Sequence, residues 1–112
     1  MANKFYAKPL TDGIVPTAKG SLYTAGADVI CAYIKRADFF NSDAAEQTVE
    51  IWINFTGTSR PWRRLVLAQY EHAGLLDEGD VMHLGPNDIL EAKTTSGANV
   101  HFLVTGIEEK AT

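Results

Sequence analysis

The sequence predicts an all-β protein, an antiparallel β-sandwich of jelly-roll type with seven or eight strands and an extended N-terminal arm. Two observations predict it. From Leu22 onward the chain is a series of short runs rich in β-branched and aromatic residues, and six clusters of turn-forming residues separate them. The size agrees: 112 residues, 46% hydrophobic and 21% charged, suit one domain around one core.

Residues 1–20 read as the arm and residues 21–112 as the sandwich domain. The arm holds Pro9, Gly13, Pro16 and Gly20 and keeps neither a two-residue nor a helical period. Its Phe5, Tyr6 and Leu10 are apolar enough to seek a partner surface, as are Ile14 and Val15. The first strand of the domain to stand out is Val29–Ile34, apolar on both sides, which suits a central strand covered twice and makes Cys31 a core thiol.

Thr48–Phe55 is the clearest strand. Val49, Ile51, Ile53 and Phe55 fall on one face and Thr48, Glu50, Trp52 and Asn54 on the other, because successive strand side chains point to opposite sides. Residues 60–73 admit two readings. Ser59 as N-cap and Gly74 as a stop frame a helix, whereas Leu65 and Leu67 alternating with Arg64, Val66 and Ala68 frame a strand. The strand is preferred, since a lone helix must find cover outside a sandwich that buries its own faces. Ile89–Thr94 and Val100–Thr105 alternate again. The turns are residues 25–28, 41–43, 56–59, 78–80, 85–88 and 96–99, all rich in Gly, Asn, Asp, Ser or Pro.

Charge and motifs exclude several function classes. The formal net charge is −4, with +2 on residues 1–20 and −6 on the rest, which disfavours nucleic acid as a partner. No run approaches the roughly 20 apolar residues of a membrane span, so no membrane association and a soluble chain are expected. One cysteine cannot form an internal disulfide. His72, His83 and His101 include no ligand-like pair; the His-x-His that a cupin-like metal site requires is absent, so no metal and no cofactor is expected. The sequence also lacks Gly-x-Ser-x-Gly, a phosphate-binding glycine loop and zinc spacings, so no catalytic residue is assigned and the chain is not expected to be an enzyme.

What remains unusual is aromatic and basic. Trp52 sits on the outward face of its strand, and Trp62 lies beside Pro61 among Arg60, Arg63 and Arg64. Trp and Arg concentrate at protein interfaces. A second core layer for Trp52, or a sugar-binding platform of the two tryptophans, is the alternative reading.

From Leu22 to Glu108 the order of motifs resembles a set of small β-sandwich virion structural proteins of tailed bacteriophages. The residues that carry the resemblance are Leu22-Tyr23-Thr24, the Ala25-Gly26 turn, Phe39-Phe40-Asn41-Ser42, Thr48-Val49-Glu50-Ile51-Trp52-Ile53, the stretch Gly85 to Lys93, and Val100 to Glu108 with its Gly106-Ile107-Glu108 close. The chain departs from that pattern at the Pro86-Asn87 insertion and around Pro61-Trp62. The resemblance implies a non-enzymatic virion protein, assembled in the host cytoplasm. It also implies a homo-oligomer, with a trimer favoured by analogy, that binds the major capsid protein or other virion proteins. The expected function is a capsid cement or decoration protein bound across capsomer junctions. Alternatives are a tail or fibre component, or a carbohydrate-binding module. The expected partner interface is Phe5, Tyr6, Leu10, Trp52, Arg60, Trp62, Arg63 and Arg64.

Overall fold

Alternation of apolar and polar residues builds strands only, and no helix occurs among the described residues. The computed structural model describes residues 3–77, 79–95 and 99–111, with side chains from Leu10 to Lys110. Glu78 and residues 96–98, which belong to two of the expected turns, lie outside the described residues. The described residues form nine strands: β1 (Asn3–Ile14), β2 (Gly20–Thr24), β3 (Val29–Asn41), β4 (Gln47–Phe55), β5 (Thr58–Leu67), β6 (His72–Gly74), β7 (Met82–Leu84), β8 (Ile89–Thr94) and β9 (Val100–Ala111).

They form two antiparallel sheets packed face to face. One has the order β1-β9-β3-β6, with β7 also on β3, and the other the order β2-β8-β4-β5. Strands β6 and β7 pair with the same side of β3, at residues 38–40 and 32–34 respectively, so together they act as one strand interrupted by residues 75–81. Counted that way the described residues give eight strands paired first with last, second with seventh, third with sixth and fourth with fifth. That is a two-stranded ribbon, turned at residues 56–57 and wound into a sandwich, which is the jelly-roll arrangement.

The segment read as an arm is extended, and its backbone is part of a sheet. Asn3 to Ile14 run antiparallel to Ala111 to His101, with a bulge at Leu10. Val15 N–H then donates to Val100 O, and Pro16 O accepts from Thr94 N–H, so the chain crosses from one sheet to the other. Residues 60–67 settle as strand, the preferred of the two sequence readings.

Val49, Ile51, Ile53, Leu90 and Ala92 face inward from one sheet and Ala32, Ile34, Phe39, Phe102 and Val104 from the other. Each fully buried Ile or Leu stabilises the fold by about 2 kcal/mol. Among the described residues every buried side-chain N or O atom has a hydrogen-bond partner. Asn41, wholly buried, shares its two side-chain N–H groups among Ala45 O, Leu67 O and Ala68 O and accepts from Asp43 N–H. Tyr23 of β2 donates to Glu108 Oε2 of β9 across the sandwich at 2.6 Å. A Cβ at Gly106 would run into Tyr33 O, so only glycine lets β9 lie this close to β3.

One expectation is corrected. The run Val29–Ile34 is covered on one face only: Ile30 is 43% exposed, and Cys31 is half-buried on the outward side rather than in the core. Its row-mates are Glu109 in register and Tyr33, whose hydroxyl donates to that same glutamate. No second layer covers this face among the described residues.

Candidate functional interface

Strand β5 is an edge strand, and its sequence departs from simple alternation where Pro61 enters. Proline has no N–H to give a ladder, which edge strands tolerate. The register shifts here: Ile51 pairs with Arg63 and Trp52 with Pro61, so Trp62 is the extra residue of a β-bulge. The bulge pushes Trp62 outward, and it is 56% exposed. On the neighbouring strand Trp52 lies on the outer face, half-buried, because Val49, Ile51 and Ile53 occupy the inner one.

The two tryptophans, Pro61, Arg63, Arg64 and Glu50 line one open groove of about 370 Å³. Arg63 is fixed there, since its Nη1 donates to Leu75 O at 2.5 Å. Arg64 is exposed and stands in register with Glu50. Lys19 covers Trp52 from one side, its Nζ 5.4 Å from the ring centroid, and the same ammonium donates to Ser59, which donates in turn to Glu91. This cation-π contact leaves Trp52 one free side, toward the groove.

The expected interface residues therefore divide between the sheets. Trp52, Trp62, Arg63 and Arg64 come together, and Arg60 stands exposed on the same strand, in register with Ile53. Leu10 sits at the bulge of β1 in the other sheet, half-buried against the core. Phe5 and Tyr6 lie in β1 in register with Glu109 and Glu108, and their side chains lie outside the described ones.

A second groove, of about 320 Å³, opens on the side of the sandwich between β5 and the residues that interrupt β6 and β7. Ile53, Phe55, Trp62, Leu76, Val81 and Met82 are its apolar lining. Sequence reasoning assigns none of these except Trp62, because the groove depends on where the interrupted strand falls, and three-residue strands have no period to read.

His72 and His101 flank Phe40 on neighbouring strands and line one open groove with it, and His83 stands apart. His83 meets Tyr33 edge to face at 5.0 Å, His72 lies 3.8 Å from Asp38, and His101 is exposed on β9. Among the described residues no three His, Cys, Asp or Glu side chains are grouped to hold a metal ion.

A scan against protein-family models finds no match, and no curated protein is significantly similar to the chain. Among solved structures, a chain of the structure of infectious bursal disease virus, Gt strain, is similar at 13% identity and a TM-score of 0.33. The match covers 96% of the present chain and 32% of that one, so this chain spans about a third of its length. A superposition of that quality assigns neither fold family nor function, and the fold described above stands on its own strand pairing.

Proposed function

We propose that the chain is a virion structural protein of the tailed-phage type, a capsid cement or decoration subunit that binds across capsomer junctions. The observation that supports it is the Trp52 groove: an aromatic and arginine cluster held outward by a bulge, on a sandwich whose interior is filled by its own side chains. Such residues supply most of the binding energy at protein interfaces. The motif order that resembles the phage proteins fits the same picture. Its residues form β2, the end of β3, β4, β8 and β9, which are framework, whereas the departures fall on the exposed β5 bulge and on the turn at Asn87. Fold alone does not carry function, and jelly rolls also serve lectins and cupins. The sugar-platform reading is the weaker one, because Lys19 already occupies one side of Trp52.

A subunit that binds only the assembled lattice shifts assembly toward it by mass action. The test is co-sedimentation of the purified chain with empty shells, and separately with tails, of a candidate phage. Shell binding is expected, and Trp52→Ala should weaken it by about 2 kcal/mol or more, roughly 30-fold, with a smaller loss of subunit stability. Binding to tails alone would favour a tail component. Binding to neither, with tryptophan quenching by glycans, would favour the carbohydrate module.

A further inference from the structure

The side groove has an asymmetry that the outer-face groove lacks. Its apolar centre leaves large surfaces open to solvent, with Phe55 38%, Trp62 56% and Val81 42% exposed. One lip is β5, which brings exposed Arg60 to the register position of Ile53. The opposite lip lies between β6 and β7, where exposed Asp80 lines the groove itself, while Asp77 lines a neighbouring groove with Lys35 and Arg36. None of Arg60, Asp77 and Asp80 has an ion-pair partner among the described residues.

An apolar strip with a basic lip on one side and an acidic lip on the other is complementary to itself. Rotation by 180° about an axis through the strip lays the basic lip of one copy on the acidic lip of the other, and does so twice. Two-fold interfaces are isologous, so each favourable contact occurs in duplicate. Charge pairing at the rim would set the register, while burial of Phe55, Trp62 and Val81 would supply the affinity.

We infer that this side of the sandwich is a docking surface for a second copy of the same chain, paired around a two-fold axis. The pairing needs no shell and stands or falls apart from the virion reading. It also differs from the trimer that the phage resemblance implies.

Sedimentation velocity over the micromolar range tests it, using the full chain and two charge reversals, Arg60→Glu and Asp80→Lys, each checked for a β-type circular dichroism spectrum. The wild-type chain should be a dimer, and each variant alone should associate at least tenfold more weakly. An equimolar mixture of the variants should recover dimers, because the new Glu of one meets the new Lys of the other while the second pair of lips keeps its native charges. Val81→Asp, which places a charge in the apolar centre, should also give monomers. A wild-type chain that remains monomeric or forms trimers would overturn the inference, as would variants that associate like wild type or a mixture that stays monomeric.

Discussion

Tyr23 shows what a single side chain does between two sheets. Its ring is 6% exposed, and its hydroxyl donates to the Glu108 carboxylate, so burial first and the hydrogen bond second push its pKa well above the ordinary value of about 10. The folded state therefore holds a proton that the unfolded chain releases above pH 10. This contribution to stability is complete below pH 10 and is lost as pH rises toward the folded-state value. Urea unfolding at pH 7 and pH 11 should show wild-type stability falling between the two. Tyr23→Phe should cost about 1–2 kcal/mol at pH 7 and fall less steeply. Tyr33, pushed up to about 12 chiefly by its hydrogen bond to Glu109, leaves part of the slope in both proteins.

At the scale of elements, the hairpin between β4 and β5 sets the register of the whole ribbon. Thr56 and Gly57 are its two central residues, with φ of 52° and 89°, the pair of left-handed conformations of a type I′ turn. Threonine is branched at Cβ and unsuited to that region, and Asp88 compensates in part by accepting the Thr56 N–H while its other oxygen accepts Gly85 N–H. Thr56→Asn should raise the midpoint of thermal unfolding, with a gain of about 0.5–1 kcal/mol. A lower midpoint would mean that the Thr56 hydroxyl, which donates to Phe55 O, outweighs the backbone strain. Elements of this kind were legible in the sequence to different degrees. The run Thr48–Phe55 declares itself because one face is apolar and the other is not. In residues 3–14, Pro9 and the bulge at Leu10 break the alternation of a strand that pairs along almost its whole length. The apolar run around Cys31 reads as doubly covered, but whether a second layer exists is decided by residues distant in sequence. The tryptophans and arginines of the outer-face groove are visible as composition; that Trp62 belongs to two grooves follows only from the bulge.

The whole molecule is organised by contacts between residues far apart in the chain. The first strand pairs with the last and the second with the next to last, and among the described residues only the β4–β5 hairpin is local. Closing such loops costs entropy before it yields contacts, so refolding should take milliseconds to seconds rather than microseconds. Stopped-flow tryptophan fluorescence measures this, and a relaxation faster than the dead time would contradict it. The edges bear on the same scale. Pro61 and the bulge interrupt β5, a bulge interrupts β1, and β6 and β7 are short, which are the usual protections against indiscriminate sheet-to-sheet pairing.

Register pairing of Asn3 with Ala111 places these two backbone positions about 5 Å apart. A linker of a few residues joining these two positions would make residues 3–111 a circle without disturbing a ladder. The circle can then be reopened at Gly57, where a turn points into empty space, to give a circular permutant with new ends at the opposite pole of the ribbon. Peptides attached before Asn3 and after Ala111 would emerge side by side, and those fused to the permutant would leave from the far end.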